Sequence, residues 1–453
     1  MSLPSEFKDR RICIIGLGYV GLTLGVAMAD RGFKVHGVEV RDEVLDLLKR
    51  KRAHFWEPRL DEKLVRGIDQ GNFSFSKSLD GVGAQDVYIV TVGTPLGKDG
   101  HARIDMVTAA TNQVRAHMVG GELVILRSTV KLGTARDVVK PLLDATNLKY
   151  ELAFCPERTL EGRALIELYE LPQVIGADDA GTRLRCMQLF SLMTPTTIAL
   201  PSFESAELVK LVDNTYRDLT FGFANEIAKL CARMGISAYD VIRAGKLGYA
   251  RTNVALPGPV GGPCLEKDPH ILVESAKAWG VDLPVTRAGR LTNEQQPEDI
   301  ARILGEWVTG RPGFSERLNI SLLGLAFKGV PATDDLRGTM ALPIYDQLKQ
   351  RFPHANFKGY DPVVGADAAR EMFDFPMVPT PQEAFEQADV VLILNNHNQF
   401  RDMDLGALIA GMRRPGIIYD LWNLHHEADK AIPPEIVYLA LGNERLPEVK
   451  RGV

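Results

Sequence analysis

Short runs of apolar residues alternate with amphipathic segments through roughly the first 200 residues of the chain. Runs of this length between helical patterns are typical of buried parallel strands. The pattern predicts strands at residues 12–15, 34–38, 87–92 and 123–126, with helices such as 42–51 and 106–118 between them. Repeated strand–helix–strand units predict a doubly wound parallel sheet.

The periodicity then changes to that of one long helix, from residue 203 to 233, and helical sequence continues to about residue 308. The apolar positions of the long helix lie broadly on one stripe: Leu208, Leu211, Leu219, Phe223, Ile227 and Leu230. A long helix with apolar residues beyond one face needs another surface to cover it. We therefore expect this region to form a dimer contact.

After Arg311-Pro312-Gly313, strand patterns return at residues 320–327, 356–360, 390–394 and 417–421. The chain is thus predicted to form two Rossmann-like doubly wound α/β domains joined by a central long helix and a helical dimerisation domain. The expected domains are 1–200, which binds the cofactor, 201–310, which is helical, and 311–453. The polar end of the chain, 443–453, is expected to be frayed.

Composition narrows the classes of function. The chain has 453 residues, with 53 Lys and Arg against 58 Asp and Glu and a net charge of −5. This balance argues against a nucleic-acid or membrane-surface partner. No apolar stretch reaches the length of a membrane span, and the first ten residues lack a signal-peptide core, so we expect a cytoplasmic protein. Five widely spaced cysteines without a C-x-x-C pair predict neither a disulfide framework nor a metal site.

A glycine motif, Gly16-Leu17-Gly18-Tyr19-Val20-Gly21, follows the first predicted strand and opens a helical pattern. In this context the glycines allow a tight turn, approach of a pyrophosphate and close helix packing, and the helix N-terminus supplies amide donors. Glu39 ends the second predicted strand, where an acidic residue binds the ribose hydroxyls of NAD. NAD is therefore the expected cofactor, although Arg41 leaves NADP open and a glycine turn without a ligand is the alternative.

Cys264 follows the turn Pro257-Gly258-Pro259-Val260-Gly261-Gly262-Pro263 and precedes a helical stretch, 269–279. A thiol near a helix N-terminus, with Lys267 close in sequence, is in an environment that favours the nucleophilic thiolate. The alternative is an inert, buried cysteine. Asp268 can be a helix N-cap before Pro269, a catalytic carboxylate, or both.

The glycine motif followed by Gly261-Gly262-Pro263-Cys264 and Lys267-Asp268 resembles the UDP-glucose/GDP-mannose dehydrogenase family. Further ordered matches extend the resemblance over nearly the whole chain: Thr94-Pro95, Ser128-Thr129-Val130, Gly133-Thr134, Cys155-Pro156-Glu157-Arg158, the segment 207–214, Asn225-Glu226, Ala326-Phe327-Lys328 and the segment 333–337. The resemblance implies oxidation of the C6 hydroxyl of a nucleotide sugar to a carboxylate with two NAD, for synthesis of cell-surface polysaccharide precursors.

The resemblance also implies roles for individual residues. Cys264 matches the family nucleophile, which forms a thiohemiacetal and then a thioester. Lys210 and Asn214, four residues apart on the long helix, match a pair that stabilises oxyanion charge. Glu157 matches an acid/base residue that acts with Asp268 on the hydrolytic water. Without the resemblance, a solvated lysine, a polar helix residue and surface carboxylates would be the alternatives.

The remaining expected contacts divide between the two ligands. The cofactor residues are Gly16, Gly18, Tyr19, Val20, Gly21, Glu39, Thr94, Thr129 and Arg337. The substrate residues are Glu161, Arg251, Gly261 and Lys328. Basic side chains suit a ligand that carries a pyrophosphate. A homodimer or higher homo-oligomer is implied, with Arg251 reaching the partner's site.

The motifs define the sugar less closely than they define the reaction. The segments 214–218 and 257–262 are most similar to family members that oxidise UDP-N-acetylmannosamine, whereas Lys267-Asp268 and Glu161-Gly162 are similar to those that oxidise UDP-glucose or GDP-mannose. A UDP-N-acetylhexosamine is the leading expectation. A two-electron β-hydroxyacid dehydrogenase is an alternative that needs no thiol, and a non-catalytic nucleotide-sugar sensor is an alternative of another class.

Overall fold

The computed structural model of the protein describes residues 3–4, 6–97, 100–426 and 432–444. The chain folds into two compact units. Unit 1 comprises Met1–Asn214 and His270–Asp282, and unit 2 comprises Thr215–Pro269 and Leu283–Val453. The predicted α/β class with two largely parallel sheets is confirmed, since each unit is built on one such sheet.

The sheet of unit 1 has eight strands in the order β3-β2-β1-β4-β5-β6-β7-β8. The strands are β1 Arg11–Ile15, β2 Lys34–Val38, β3 Phe73–Ser76, β4 Val87–Val90, β5 Glu122–Leu126, β6 Tyr150–Phe154, β7 Gln173–Gly176 and β8 Thr197–Leu200. All neighbouring strands are parallel except β6 and β7, which pair antiparallel. Every residue of β4 and β5 is buried. Apart from Glu122 at the start of β5, their continuous apolar sequence is typical of strands that are covered on both sheet faces.

The helices that connect these strands differ in how much of their surface is buried. They are α1 Tyr19–Asp30, α2 Asp42–Lys49, α3 Leu60–Asp69, α4 Asp105–His117, α5 Lys140–Asp144, α6 Ala164–Glu170 and α7 Ala180–Phe190, with a π-helical turn at Ala135–Val139 before α5. In α2 the buried residues Val44, Leu45 and Leu48 face the core. Asp42 at its start and Lys49 at its end suit the helix dipole.

Helices form the middle of the chain: α8 Phe203–Met234, α9 Ala238–Lys246, α10 Asp268–Ala278, α11 Pro284–Glu294 and α12 Gln296–Thr309. The predicted long helix is confirmed, but its apolar stripe is divided. Leu211 is buried, whereas Leu208, Phe223 and Leu230 are exposed. The long helix therefore carries apolar side chains beyond the face that packs within the chain.

The sheet of unit 2 has five parallel strands in the order β10-β9-β11-β12-β13. The strands are β9 Asn319–Leu323, β10 Asn356–Tyr360, β11 Val390–Ile393, β12 Gly416–Asp420 and β13 Ile436–Ala440, and the helices are α13 Ala341–Arg351, α14 Ala366–Arg370, α15 Pro381–Phe385, α16 Asn398–Asp402 and α17 Leu405–Ile409. Apolar residues of β9, β11 and β12 are buried in two clusters. These clusters lie on the two faces that alternate side chains create.

The predicted strands of both sheets are present, with shifts of a few residues at their ends. The strand predicted at 320–327 ends at Leu323, because Gly324 has φ +88°, which an extended strand does not adopt. Strands β3, β6, β7, β8 and β13 were not predicted. The polar end of the chain lies largely outside the described residues, which stop at residue 444. None of the described helices is long and apolar enough to cross a membrane.

Candidate active site

In unit 1 the predicted cofactor residues follow the carboxyl ends of adjacent parallel strands. The glycine motif follows β1, Glu39 follows β2, Thr94 follows β4 and Thr129 follows β5. Glu157 follows β6 on the same edge. Strand order reverses at β1, which pairs with β2 on one side and with β4 on the other. Open α/β sheets bind their ligands outside such a reversal.

A different feature of the geometry explains the glycine at each position of the motif. Gly16 has φ +95°, which a side chain rarely adopts, and its amide donates to the Val38 carbonyl at 2.8 Å. A Cβ on Gly21 would lie 1.9 Å from the Gly16 carbonyl oxygen, so the turn and α1 pack as only glycine allows. Nothing lies within 4 Å of a Cβ built on Gly18. The N-terminus of α1, which begins at Tyr19, thus offers open backbone of the kind that accepts a pyrophosphate.

Glu39 is buried at the end of β2, where hydrogen bonds hold its carboxylate in place. Oε2 accepts the Leu17 amide at 3.1 Å, and the Arg41 guanidinium donates to both oxygens at 3.0 Å. Burial favours the neutral acid, but Arg41 and the two backbone amides keep the pKa of Glu39 below its usual range. Glu39 is therefore an anion at neutral pH, and its hydrogen bond to the Leu17 amide fixes the loop after β1.

Thr94 and Thr129 are brought together by the pairing of β4 with β5. The Thr94 hydroxyl donates to the Thr129 carbonyl, and the Ser128 hydroxyl donates to the Val92 carbonyl at 2.7 Å. Thr94 is buried and Thr129 is half-buried. The two hydrogen bonds lock the loops after these strands to each other.

Glu157 is held by an ion pair that the sequence did not predict. Arg127, at the end of β5, donates from Nε at 3.1 Å and from Nη2 at 2.5 Å to Oε2 of Glu157. The other oxygen accepts the amides of Arg158 and Thr159, both at 2.7 Å. Burial pushes the pKa of Glu157 upward, but Arg127, the Thr159 amide and the charge of Lys210 outweigh it and lower the pKa below its usual range. Glu157 is a buried anion.

Lys210 and Asn214 lie one turn apart on α8, and both are buried. Because the charge of Lys210 stabilises ionised Glu157, the structure brings two of the predicted catalytic residues together within unit 1. Glu207, one turn earlier on α8, accepts the amides of Gly133 and Ala135 at 2.6 and 2.9 Å. It thereby attaches the segment after Thr129 to the same helix.

Glu161 lies in the loop after β6, and its charge contributes to raising the pKa of the Tyr19 hydroxyl, which burial and Glu57 raise more strongly. Glu57 is a buried carboxylate that sequence analysis missed. It accepts the Tyr19 hydroxyl and, at 2.7 Å, the amide of Gly162. Tyr19 of the glycine motif is thus connected to the loop that carries Glu161.

Cys264 and Asp268 belong to unit 2. Cys264 carries a half-buried thiol, and its carbonyl accepts the amides of Lys267 at 3.2 Å and Asp268 at 2.9 Å. Asp268 is fully buried and is itself the first residue of α10. Its Oδ1 accepts Lys267 Nζ at 3.0 Å. Lys267 and Asp268 therefore form an ion pair within this segment.

The turn before Cys264 is sterically confined. Gly262 has φ +92°, and a Cβ there would lie 2.4 Å from the Phe327 ring. A Cβ on Gly261 would lie 2.1 Å from the Gly338 carbonyl oxygen, which accepts the Gly262 amide at 2.7 Å. The two glycines hold the turn against the segments that contain Phe327 and Gly338.

The three predicted basic contacts also lie in unit 2, and each stacks or pairs locally. The Arg251 guanidinium lies 4.6 Å from the Tyr249 ring centre, and Lys328 Nζ lies 5.2 Å from that of Phe327. Arg337 donates from Nε to the Asp335 carboxylate at 2.9 and 3.0 Å. Lys328 and the glycine turn are therefore joined through Phe327.

Three successive family models match the chain. The NAD binding domain of the UDP-glucose/GDP-mannose dehydrogenase family matches residues 10–194, its central domain matches 204–295, and its UDP binding domain matches 321–427. The chain belongs to the UDP-glucose/GDP-mannose dehydrogenase family. It is an NAD-dependent nucleotide-sugar dehydrogenase, as the sequence predicted.

Curated relatives cover almost the whole chain. The UDP-N-acetyl-D-mannosamine dehydrogenase of Pyrococcus horikoshii is 30% identical over 90% of this chain and 94% of its own length. The UDP-glucose 6-dehydrogenase of Rhizobium meliloti is 32% identical over 93% of this chain and 97% of its own. A solved structure of the Pyrococcus horikoshii enzyme has a TM-score of 0.86 and 29% identity, and covers 96% of this chain and 100% of that one.

Proposed function

We propose that this dehydrogenase oxidises the C6 hydroxyl of a UDP-N-acetylhexosamine, such as UDP-N-acetylmannosamine, to the uronic acid in two NAD-dependent steps. NAD, when bound, would supply the hydride acceptor for each step. The observation that carries this proposal is that buried Lys210 of α8 stabilises ionised Glu157, which lies on the strand edge that bears the glycine motif. An oxyanion-stabilising cation beside a fixed anion suits a reaction that first removes hydride and then adds water.

Cys264 divides the four-electron oxidation into steps. Its Sγ adds to the C6 aldehyde as a thiohemiacetal, loss of the second hydride leaves a thioester, and water then cleaves the C–S bond to release the acid and the thiol. Lys210 and Asn214 stabilise charge on the substrate oxygen. Glu157, with Asp268, accepts a proton from the water, for which its ionised state at neutral pH is the required form.

Further side chains hold the two ligands. For the cofactor we propose Gly16, Gly18, Tyr19, Val20, Gly21, Glu39, Thr94, Thr129 and Arg337, and for the nucleotide sugar Glu161, Arg251, Gly261 and Lys328. The open backbone at Gly18 and the anionic Glu39 support the cofactor set. We also propose the division into 1–200 for NAD, 201–310 for dimerisation and the thiol, and 311–453 for the UDP-sugar.

The sugar is proposed from the relatives named above together with the motifs at 214–218 and 257–262. UDP-glucose and GDP-mannose are the alternatives, because a UDP-glucose 6-dehydrogenase is as similar in sequence as a UDP-N-acetyl-D-mannosamine dehydrogenase. NADH formation with a panel of UDP-sugars and GDP-mannose tests this assignment. We expect the highest kcat/KM with UDP-N-acetylmannosamine. A higher value with UDP-glucose or GDP-mannose selects that alternative, and no reduction with any sugar favours a non-catalytic sensor.

We further propose a homodimer formed through the helical region of the chain and activity in the cytoplasm. Exposed apolar side chains on α8, namely Tyr216, Phe223, Leu230 and Met234, support an interface between copies. The five cysteines form no disulfide with one another, which is consistent with a reducing compartment. Light scattering at micromolar concentration tests the dimer, and a fully active monomer contradicts it.

A further inference from the structure

The Arg127 side chain is buried at the end of β5 and is committed to a single arrangement. Nε and Nη2 donate to Oε2 of Glu157, while Nη1 donates to the Cys155 carbonyl at 3.0 Å and to Oε1 of Gln173 at 2.8 Å. The guanidinium also lies 5.7 Å from the Phe190 ring centre. The loop after β6 and strand β7 thus hold the Arg127 side chain in place, and Arg127 in turn holds Glu157.

Both oxygens of Glu157 are restrained, one by Arg127 and the other by the Arg158 and Thr159 amides. N–H groups at both oxygens leave the carboxylate little rotational freedom and stabilise its ionised form. A buried carboxylate without such partners would take up a proton near neutral pH. The orientation and the charge of Glu157 therefore depend on the same guanidinium.

Other charged groups of unit 1 also face Glu157. Lys210 approaches from α8 and contributes its positive charge. Arg158 and Glu167 line the same small cavity, of about 20 Å³, but Arg158 pairs with Asp213 at 3.3 Å and Glu167 accepts the Leu160 amide at 2.7 Å. In the described part of unit 1, Arg127 is the charged side chain that hydrogen-bonds the Glu157 carboxylate.

We propose that Arg127 is a positioning residue for the hydrolytic step, because it holds Glu157 as an oriented anion. The proposal rests on the proposed function, in which water attacks the thioester carbon, Sγ of Cys264 leaves as the thiolate, and Glu157 receives the proton of the water. Arg127 acts only through Glu157. Its loss should affect hydrolysis through the protonation of Glu157, and not the first hydride transfer.

Arg127→Met and Arg127→Lys test this role, with Gln173→Met as the matched control. Gln173 is buried and accepts a hydrogen bond from Nη1 of Arg127, so Gln173→Met removes a neighbour of the guanidinium while Nε, Nη2 and the Glu157 carboxylate all remain. The readouts are steady-state turnover from pH 5.5 to 9.5, the NADH burst of the first hydride transfer, and the fraction of enzyme acylated at Cys264 in rapid-quench intact-mass spectra.

We expect turnover of Arg127→Met to fall about tenfold from pH 9 to pH 6, because a buried carboxyl that has lost the guanidinium has its pKa raised into the neutral range. The acyl-enzyme should accumulate at pH 6 while the burst is retained. Arg127→Lys should show a smaller loss of turnover, about threefold, since a single ammonium replaces the two donors of the planar guanidinium. The Gln173→Met profile should match that of the unmodified enzyme.

An equal reduction at every pH in both Arg127 variants would overturn the proposal, since a purely structural role predicts it. If Arg127→Met does not fold, Arg127→Lys decides by the same criterion, and an unshifted profile overturns the proposal. Failure of the proposed function would look different. The unmodified enzyme would then release one NADH per sugar or form no adduct at Cys264.

Discussion

Glu207 should make unit 1 less stable as the pH rises through neutrality. Its carboxylate is buried beneath the segment that follows Thr129 and accepts two backbone amides there. Burial is the largest influence on this group. Together with the nearby charges of Glu204 and Asp137, burial outweighs the hydrogen bonds and raises the pKa of Glu207 from 4.5 to about 7.

The sign and size of this effect of pH on stability follow from proton linkage. Between pH 4.5 and 7 the unfolded chain has lost the Glu207 proton, whereas the folded unit retains it. The stability that this group contributes is therefore fully present below pH 4.5 and is lost as the pH rises through 7. A difference of about 2.5 pKa units corresponds to about 3 kcal/mol in the free energy of unfolding.

Glu207→Gln removes this titration, and urea unfolding at pH 5 and pH 8.5 measures it. Trp56 and Trp279 lie in unit 1, so a background of Trp307→Phe and Trp422→Phe makes tryptophan fluorescence report on that unit. The background protein should lose about 2 to 3 kcal/mol more between the two pH values than the same protein with Glu207→Gln.

Glu204→Gln is the matched control, because Glu204 lies on the same helix and pairs with Arg136, which lowers the pKa of Glu204 although burial opposes this. This control should keep most of the decline. If the background protein and Glu207→Gln lose the same stability between pH 5 and 8.5, Glu207 is not the titrating group and the reasoning is refuted.

Three other outcomes are expected. NAD should be preferred over NADP at least about tenfold in kcat/KM, or about 1.4 kcal/mol, and Glu39→Ala should reduce this preference; equal use of both cofactors by the unmodified enzyme would contradict the role of Glu39. The unmodified enzyme should release two NADH per sugar, and Cys264→Ser should yield no acid by mass spectrometry, since a hydroxyl is a weak nucleophile at neutral pH; acid formed at an unchanged rate would exclude Cys264. Arg59→Gly should raise the urea midpoint of unit 1, because Arg59 has φ +64° before α3; a lowered midpoint would show that its side chain matters more than its backbone strain.

Much of the fold was predictable because continuous apolar runs distinguish buried parallel strands. Residues 34–38 and 356–360 were predicted as strands with the bounds that the structure has. Two of the missed strands lack such buried apolar runs. In β3, Phe73-Ser74-Phe75-Ser76 is short and half polar, and β8 at the sheet edge is largely exposed. Edge positions require less apolar sequence, so periodicity alone does not reveal them.

The candidate site was predictable where the chemistry lies in contiguous motifs and not where it depends on tertiary contacts. The glycine motif and Glu39 could be recognised by spacing. Arg127 and Glu57 could not, because their partners, Glu157 and Gly162, are 30 and 105 residues away. A basic residue directly after the wholly buried strand β5 was the available indication, since a buried cation requires an anion nearby.

The confined turn at Gly261 and Gly262 has a consequence for mutational surveys of this enzyme. Replacement of either glycine by alanine would push a methyl group into the Gly338 carbonyl or the Phe327 ring and displace the turn that leads to Cys264. Both positions would then be classed with Cys264 as intolerant, although the cause would be lack of space. A survey that measures protein abundance together with turnover would reveal the difference. A variant that replaces only Cys264 can remain abundant, whereas a displaced turn also lowers the amount of folded protein.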